Sequence, residues 1–543
     1  MKIEYVDGLM LSKMFLGAAN SLEKNKEIVN SLNVFPVPDG DTGTNMSLTM
    51  QSAVRQLKNL DTQDIDKISS VVANGSLMGA RGNSGVILSQ LLRGFSKGLK
   101  GRKRIDTKIA SIALKEGADT AYKAVMKPIE GTILTVAREC AEKSIEISRT
   151  ETDVVVFLKK VIEHGEIALN KTPEMLPVLK QAGVVDAGGK GLLTLLSGAL
   201  EVLTGKEEIS YDSIENTKHN VQPNPISDDI TFGYCTEFII NNTDADNIEF
   251  RDKIQKLGDS ILVVGGDNII KVHIHTDDPG LVLQQALGLG ELIDIKIDNM
   301  RYQHRNNVFS EEDNQTNEIE AVEETKKYGF ITVSMGEGLK EIFNDLKVDH
   351  VISGGQTMNP STEDILNAVN NINAENIIIL PNNSNIVLAA NQAKELSEKN
   401  IEVLPTKTIP QGVTALLAFN EEASIEENIE NMTKAFKSIK TGQITFSVRD
   451  TSINDREINK DDIIGICDGD ITSVGKDIKE VAIDLIRNTI NEETELITLF
   501  YGEGITEEQA NELREILEEE FDYIDIEIIY GGQPLYYYLI AIE

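Results

Sequence analysis

The spacing of the apolar residues changes twice along the chain, and this change constrains the possible fold more than any other feature. Over residues 1–206 apolar residues recur at the helical period, as in the segment 9–32, and runs that alternate at period two are scarce. Residues 229–308 contain alternating runs instead, for example 269–276. Residues 328–543 mix strand-like apolar runs with helical segments. The sequence therefore predicts three structurally different blocks.

Two polar stretches separate the blocks. The stretch 207–228 has little apolar periodicity, and the stretch 309–327 is acidic and poor in aromatic residues. Segments of this composition bury too little apolar surface to fold and favour linkers. We therefore expect an all-α domain over 1–206, a small α+β domain over 229–308 and an α/β domain with a largely parallel sheet over 328–543.

Charge and cysteine content exclude several classes of protein. The chain has a formal net charge of −36, which argues against nucleic acid or an anionic membrane as a main partner because phosphates are bound by clustered Lys and Arg. Three widely spaced cysteines, Cys140, Cys235 and Cys467, form no disulfide framework and favour a reducing compartment. No apolar run is long enough to span a bilayer, and residues 1–20 lack a secretory signal. We expect a cytoplasmic protein that does not span a membrane.

One loop of the helical block carries paired aspartates. Residues 33–46 read NVFPVPDGDTGTNM, in which the prolines forbid helix and Asp39 and Asp41 flank a single glycine. Two carboxylates at this spacing can converge on Mg²⁺, which prefers oxygen ligands shared with nucleotide phosphates. Thr42, Thr44 and Asn45 then begin a helix whose N–H groups favour an anion. An ordinary Asp-Gly turn with a helix cap is the alternative, and a calcium loop would need a ligand at its twelfth position.

Three further loops of the helical block have a similar composition. Residues 79–85 read GARGNSG and supply glycines for close approach and Arg81 for phosphate charge, but they lack the Gly-Lys-Ser/Thr ending of a Walker A loop. Residues 127–132 and 183–191 complete the set. Any one of these loops can be a mere helix connector. Four such loops in one helical block indicate a nucleotide site.

The middle block contains a cysteine and two histidines on strand-like runs. His273 and His275 lie two residues apart, so their side chains share one face of a strand, and Cys235 lies on another strand. One Cys and two His can bind Zn²⁺ and leave a fourth position open. The alternative is a buried thiol and two histidines that neighbouring polar groups satisfy.

Residues 1–205 resemble the DhaL domain, the ATP- or ADP-binding half of dihydroxyacetone kinases. The resemblance implies an eight-helix barrel that binds ATP with two Mg²⁺ ions held by aspartates. It places Asp39 and Asp41 on two metal ligands. Asn33 is nearest to the third ligand, where the family has an aspartate with one residue fewer in between.

The whole chain is similar to the ATP-binding subunit of bacterial fatty acid kinase. The matching runs are NVFPVPDGDTGTNM, GARGNSGVILSQ, KPIEGTILTV, GVVDAGGKG, FGYCTEF, KVHIHTDDPG and YGGQPLYYYLI. The resemblance implies a homodimer that phosphorylates the carboxylate of a fatty acid held by a separate carrier protein, which yields acyl phosphate for phospholipid synthesis. It also raises the expectation of Zn²⁺ at the Cys/His trio.

These observations and the resemblance together assign the site residues. We expect catalytic roles for Asp39, Asp41, Arg81, Cys235, His273 and His275, and metal binding by Asn33, Asp39 and Asp41 for Mg²⁺ and by the Cys/His trio for Zn²⁺. We expect nucleotide contacts from Thr42, Gly43, Thr44, Asn45, Met46, Ser47, Gly79, Ala80, Arg81, Gly82, Asn83, Ser84, Thr132, Asp186 and Gly188.

The third block carries the run SGGQTMNPST over 353–362. This run resembles a turn of the DegV-type fold, which the fatty-acid-binding carrier also uses, and departures elsewhere argue against lipid binding by this block. In the family it docks the carrier. Two other functions stay open: a kinase for a small metabolite such as dihydroxyacetone, and a non-enzymatic scaffold that senses ATP.

Overall fold

The computed structural model describes residues 2–33, 37, 40–60, 62–125, 127–205, 234–241, 245, 247–254, 256–266, 269–299, 325–355, 358–453 and 456–543. The chain divides into two compact units. Residues Met1–Thr217 and Thr325–Glu543 form the first unit, and Lys218–Glu324 forms the second. The N-terminal and C-terminal blocks, which the sequence separates by more than a hundred residues, therefore pack together as one body.

The described part of the N-terminal block is helical. Its helices are α1 (Gly8–Asn30), α2 (Thr42–Arg55), α3 (Ile65–Met78), α4 (Gly82–Leu99), α5 (Thr107–Ala124), α6 (Ile133–Ile147), α7 (Val154–Asn170), α8 (Thr172–Met175), α9 (Pro177–Ala182) and α10 (Ala187–Leu203). Acidic residues begin several of them because a carboxylate can satisfy the free N–H groups of a first turn. Asp7 accepts the N–H of Met10, and Asp106 accepts that of Ile109.

The eight long helices close into a ring. From α1 to α7 each helix packs against the next, and α10 packs against both α7 and α1. Leu16, Met50, Leu88 and Phe157 are among the fully buried side chains of its core. The ring surrounds an apolar cavity of about 170 Å³. The expected helical barrel is confirmed, and because its interior is apolar, a charged ligand has to bind at one end of the ring.

The second unit contains a four-stranded antiparallel sheet with two helices. Its elements are β1 (Tyr234–Asn241), α11 (Asn247–Ile254), β2 (Gly258–Gly266), β3 (Ile269–Thr276), α12 (Pro279–Leu287) and β4 (Glu291–Asn299). The strand order is β2-β3-β1-β4. Buried residues from β1 and β3, such as Phe238 and Val272, pack with Phe250 of α11 and Val282 of α12. The α+β prediction for this block is confirmed.

The C-terminal block begins with a parallel sheet. Its elements are β5 (Lys326–Ser334), α13 (Glu337–Asp345), β6 (His350–Ser353), α14 (Thr362–Asn370), β7 (Ala374–Leu380), α15 (Val387–Leu396), β8 (Asn400–Val403), α16 (Ile409–Leu417) and α17 (Ile425–Ser438). The strand order is β6-β5-β7-β8, with every pair parallel. Parallel strands need helical crossovers, which α13, α14 and α15 provide.

A second, mixed sheet follows. It is built from β9 (Lys440–Phe446), β12 (Ile463–Cys467), β13 (Asp470–Gly475), β14 (Leu496–Tyr501), β15 (Asp525–Tyr530) and β16 (Tyr538–Ile542), with α18 (Ile478–Thr489), α19 (Glu507–Glu520) and the hairpin β10 (Thr451–Ile453) and β11 (Arg456–Ile458). The order is β13-β12-β9-β16-β14-β15, and only β14 and β15 pair in parallel. The expectation of a largely parallel sheet is therefore wrong here, because the last strand inserts antiparallel between β9 and β14.

The two blocks of the first unit share a core. Ala80 and Val86, from the start of α4 and the loop before it, are buried among β5, β6, β7 and the helices α14 and α15. The N–H of Thr362 donates to the carbonyl of Ala80 at 3.1 Å, and Arg81 and Ser361 form an isolated β-bridge. In the described parts of the chain no helix is both long and apolar enough to cross a bilayer.

Candidate functional site

The four loops singled out in the sequence meet at one end of the helical ring. The helices α2, α4, α6 and α10 all begin at this end. Their glycines show how closely they approach: a Cβ on Gly82 would lie 2.5 Å from Asn45 Nδ2, and one on Gly191 would lie 2.6 Å from Met46 Sδ. A Cβ on Gly188 would lie 3.1 Å from Ile133 at the start of α6. Four positive helix ends therefore gather in one place, which favours an anion there.

The start of α2 is held by an asparagine of α1. Asn30 Oδ1 accepts the N–H of Gly43 at 2.8 Å and that of Thr44 at 3.2 Å, and its Nδ2 donates to the Thr44 hydroxyl. The Thr42 hydroxyl donates to Asn33 Oδ1 at 2.6 Å. In this structure Asn33 thus stabilises the loop, and its role as a metal ligand stays a prediction. The first N–H groups of α2 are also partly occupied, which the sequence argument did not foresee.

Asp41 occupies the N-cap position of α2, yet its side chain makes no capping hydrogen bond. Its Oδ2 instead accepts a hydrogen bond from Asn359 Nδ2 at 2.5 Å. Asn359 comes from the C-terminal block and is 2% exposed. Asn45 Oδ1 lies 3.4 Å from the same Asn359 nitrogen. The companion aspartate, Asp39, lies outside the described residues, and its metal role stays a prediction.

The loop before α4 contacts the C-terminal block rather than presenting its cation outward. Arg81 Nη1 donates to the backbone carbonyl of Asn359 at 2.7 Å, and Nη2 lies 3.3 Å from Asp364 Oδ2. Asn83 Nδ2 donates to the Ser384 carbonyl and to Asn385 Oδ1, both at 3.3 Å. The Arg81 guanidinium therefore contacts the C-terminal block in this structure, and its expected role in neutralising phosphate charge stays a prediction. Ser84 lies in the first turn of α4.

Close packing explains the glycines of this loop. Gly82 has a φ of +58°, which glycine adopts without steric strain, and any Cβ there would meet Asn45. A Cβ on Gly79 would lie 2.2 Å from Ser52 Cβ. Ala80 is fully buried. Gly82 thus lets the start of α4 approach α2, and Gly79 lets the end of α3 approach α2, so the expected close approach is present, whereas contact with a nucleotide stays a prediction.

Met46 and Ser47 serve the packing of α2. Met46 is fully buried against Gly191, and Ser47, 1% exposed, donates its hydroxyl to Glu23 Oε2 at 2.6 Å. Both side chains fill interior positions of the ring, and a nucleotide contact from these two residues stays a prediction.

Thr132 and Asp186 begin α6 and α10. Asp186 accepts the N–H of Gly189 at 2.6 Å, and the Thr132 hydroxyl donates to the carbonyl of Ile129. Burial raises the pKa of Asp186 to about 6, although hydrogen bonds from the N–H groups of Gly189 and Ile133 favour its ionised form. Asp186 therefore joins two helix ends and is a structural cap, and its nucleotide contact stays a prediction.

The Cys/His trio is brought together by strand register. Cys235 of β1 pairs directly with His275 of β3, and His273 lies two residues further along the same strand. The residues between them, Thr236 and Ile274, are fully buried. The side chains of the trio lie outside the described part of the structure, so zinc binding and any catalytic role stay predictions.

The fit of this end of the ring to magnesium can be judged from its oxygen atoms. The Asp41 carboxylate is not used as a cap, and Asn359 Oδ1 is buried with no hydrogen-bond partner among the described residues. Mg²⁺ prefers such oxygen ligands and completes its shell with water and nucleotide phosphates. No cluster of three or more His, Cys, Asp or Glu residues occurs in the described part of the chain. The Asp41 and Asn359 oxygens suit a magnesium ion whose other ligands are water and nucleotide phosphates, and magnesium binding stays a prediction.

Asn30 and Asn359 are the residues that the sequence argument missed. Asn30 is separated from the aspartate loop by the end of a helix, and nothing in its neighbourhood marks it as a cap. Asn359 lies 318 residues beyond Asp41. The run 353–362 that contains it resembles a DegV-type turn, but a long-range contact between blocks has no signal in one sequence.

Comparisons with known proteins agree with this architecture. Residues 36–201 match the DAK2 domain family, residues 231–307 the FakA-like middle domain of fatty acid kinases, and residues 329–543 the FakA-like C-terminal domain. Protein YloV of Bacillus subtilis is 46% identical over 555 residues. An uncharacterized protein of Staphylococcus saprophyticus is 41% identical over 555 residues, and one of Staphylococcus epidermidis is 40% identical over 551. Each comparison covers 100% of both chains.

Solved structures resemble only part of the chain. A DegV family protein of Ruminococcus gnavus, described with vaccenic acid, has a TM-score of 0.31 at 16% identity and covers 40% of this chain and 100% of its own. The Fak B3 protein of Streptococcus pneumoniae, loaded with linoleic acid, has a TM-score of 0.29 at 13% identity and covers 40% and 99%. At these TM-scores no functional conclusion follows from the likeness.

The family assignment rests on the full-length relatives and on the three domain matches. A relative that is 46% identical over the whole of both chains supports the family assignment. The matched segments fall in the helical ring, where the match begins after α1, in the antiparallel sheet unit and in the α/β block. The chain belongs to the FakA-like fatty acid kinase family and carries the DhaL-type DAK2 domain at its N-terminus.

Proposed function

We propose that this chain is the kinase subunit that transfers the γ-phosphoryl group of ATP to the carboxylate of a fatty acid held by a separate fatty-acid-binding protein, which yields acyl phosphate for phospholipid synthesis. The family supports a role in a fatty acid kinase. The observation that carries the proposal is the gathering of four helix N-termini at one end of the ring, beside an Asp41 carboxylate that does not cap α2. That combination suits a nucleotide and its metal.

The chemistry follows from the acceptor. A carboxylate is ionised at neutral pH, so the transfer needs no general base. Catalysis then depends on holding donor and acceptor in line and on neutralising charge on the transferring group. Asp41, and with it Asp39, would hold Mg²⁺, which when bound neutralises the phosphate oxygens. The helix ends of α2, α4, α6 and α10 would orient the phosphates.

The middle unit would serve the acceptor. The positions of Cys235, His273 and His275 meet in the register of β1 and β3, which supports the proposal that they bind Zn²⁺ and help to position the acyl carboxylate. Metal analysis of the purified protein tests this. Zinc in the wild type and its loss in Cys235→Ala together with reduced transfer would support it, and a zinc-free, fully active wild type would refute it.

A direct assay tests the kinase proposal. The protein is mixed with ATP, Mg²⁺ and a fatty-acid-binding protein loaded with lipid, and both ADP and hydroxylamine-trapped acyl phosphate are measured. We expect product from the wild type and none from Asp41→Ala. Asp119→Ala is the matched control, because Asp119 also lies in the ring but only pairs with Lys115 on the surface. An active Asp41→Ala variant would refute the assignment.

The same assay separates the rival functions. If ADP forms with dihydroxyacetone as acceptor and not with the lipid-loaded protein, the chain is a small-metabolite kinase. If the protein binds ATP but forms no ADP with either acceptor, it is an ATP-sensing scaffold. Either outcome contradicts the proposed transfer to a fatty acid.

A further inference from the structure

Asn359 lies beside Asp41, the residue that we propose as a metal ligand, although it belongs to the C-terminal block and Asp41 to the helical block. It lies in the segment between β6 and α14, and it is 2% exposed. Its Nδ2 is 2.5 Å from Asp41 Oδ2 and 3.4 Å from Asn45 Oδ1. The side chain is therefore buried directly against the carboxylate that we propose as a metal ligand.

Several contacts fix Asn359 in this position. Arg81 donates to its backbone carbonyl at 2.7 Å, and the neighbouring Thr362 N–H donates to the Ala80 carbonyl. A Cβ on Gly82 would lie 3.3 Å from Asn359 Nδ2, so the absence of a side chain at Gly82 leaves room for the amide. The loop before α4 therefore packs closely against Asn359 of the C-terminal block.

The side-chain oxygen of Asn359 has no hydrogen-bond partner among the described residues. This oxygen, Oδ1, is buried. A buried amide oxygen without a partner is unfavourable by about 1–3 kcal/mol and calls for a ligand. Rotation of the amide by half a turn would bring this oxygen beside the Asp41 carboxylate. Two oxygens that close repel each other unless a cation lies between them.

We propose that Asn359 is a ligand of the metal–nucleotide site, contributed by the C-terminal domain: its side-chain oxygen joins Asp41 around Mg²⁺ when nucleotide binds. Adjacent ligands of an octahedral Mg²⁺ lie about 3 Å apart, so the 2.5 Å contact needs to lengthen by a few tenths of an ångström. This inference rests on the proposed function and extends it. The nucleotide site is then complete only when the C-terminal domain is docked on the ring.

Metal binding tests the proposal without reference to activity. The full-length protein is titrated with Mn²⁺, an EPR-visible substitute for Mg²⁺, at saturating ADP. We expect Asn359→Ala to weaken Mn²⁺ binding by about tenfold or more, as the loss of groups around a metal does. Gln392→Ala is the matched control, because Gln392 donates across the same domain boundary to the Leu77 carbonyl at 2.9 Å but does not contact Asp41. We expect it to bind Mn²⁺ like the wild type.

A second variant tests the oxygen itself. Asn359→Asp places a carboxylate beside Asp41, which destabilises the metal-free protein through like-charge repulsion and favours the metal-bound one. We expect it to keep the Mn²⁺ affinity of the wild type or exceed it, and to show a larger rise of the unfolding temperature on adding Mg²⁺ and ADP. The same loss of Mn²⁺ affinity in the Ala and Asp variants would show that only the amide N–H matters and would overturn the proposal.

The failures of the two proposals are distinguishable. If the wild type binds neither Mn²⁺ nor Mg²⁺ with ADP, the proposed function fails and this inference fails with it. If the wild type binds both and Asn359→Ala binds them equally well or more tightly, the inference alone fails. Tighter binding would mean that Asn359 holds the site closed against nucleotide.

Discussion

The side-chain oxygen of Asn30 accepts the backbone N–H of Gly43 at 2.8 Å, which ties the end of α1 to the start of α2. The side chain of Asp41, the residue in the N-cap position, makes no capping hydrogen bond to α2. A carboxylate that had to satisfy the first turn of its own helix could not serve a metal equally well. If Asp41 binds Mg²⁺ as proposed, Asn30 leaves its carboxylate available for the metal by holding the first turn of α2.

Replacing Asn30 tests this division. We expect Asn30→Ala to destabilise the helical ring by about 1 kcal/mol, the usual effect of losing a cap, and to weaken the binding of Mg²⁺ and ADP because Asp41 can turn inward to the free N–H groups. The measurements are the urea midpoint and the Kd for ADP by calorimetry. Asn25→Ala is the control, since Asn25 of the same helix donates only to the Ser21 carbonyl. Unchanged ADP binding in Asn30→Ala would contradict the account.

The helical block and the paired aspartates could be predicted because their signals are local. Apolar residues at the helical period and an Asp-Gly-Asp run followed by cap residues mark the elements and one end of α2 in the sequence itself. The order of the mixed sheet could not be predicted, because the pairing of β16 with β9 joins residues about a hundred positions apart. Such pairings depend on tertiary packing, which leaves no periodic trace.

The residues of the candidate site have local signals, but the contacts between them do not. The four loops meet because alternate helices of a closed ring begin at the same end, which a sequence pattern does not reveal. Arg81 illustrates the limit: its charge and loop suggest phosphate, yet a partner 278 residues away takes its guanidinium. Met46 shows a second limit. It follows directly on the aspartate loop, but the sequence does not show that its side chain packs into the ring.

Gly82 offers a test of how tightly the ring end is packed. Gly82→Ala forces a side chain into a left-handed backbone, which costs about 1–2 kcal/mol, and in addition drives its Cβ within 2.5 Å of Asn45 Nδ2. Gly101→Ala is the matched control, because Gly101 has a φ of +73° but nothing within 4 Å of its Cβ position. We expect Gly82→Ala to lower the urea midpoint further than Gly101→Ala and to weaken ADP binding. Equal effects of the two variants would show that crowding at Asn45 is unimportant.

Asp186 predicts a pH dependence of stability. Its pKa of about 6 in the folded protein lies above its ordinary value of 3.8, so the native state binds the proton more tightly than the unfolded state. The stabilisation from this group is therefore fully present below about pH 4 and is lost as the pH rises through about 6. The neutral variant Asp186→Asn escapes this loss. We expect its unfolding temperature, relative to the wild type, to increase as the pH is raised from about 4 to about 7.

The control for this prediction is Asp106→Asn. Asp106 caps α5 through the N–H of Ile109 but is exposed. We expect no gain in relative unfolding temperature for Asp106→Asn as the pH increases over the same range. If Asp186→Asn instead loses stability progressively towards neutral pH, the ionised carboxylate must be the favoured form, and the burial of Asp186 is not the dominant influence.

We expect docking of the C-terminal domain on the ring to depend on Arg81, and amide hydrogen exchange at Thr362 measures this docking. The Thr362 N–H donates to the Ala80 carbonyl, so it is protected only while the two domains are in contact.

Arg81→Ala removes a charge-assisted hydrogen bond to the Asn359 carbonyl, worth about 1.5–3 kcal/mol. We expect Thr362 to exchange about tenfold to a hundredfold faster, since each 1.4 kcal/mol is a factor of about ten. In Arg138→Ala, which breaks a partly exposed ion pair with Glu130 within the helical block, the exchange of Thr362 should not change. Unchanged protection of Thr362 in Arg81→Ala would contradict a docking role for Arg81. It would favour the role that the sequence predicts, neutralisation of the nucleotide phosphates.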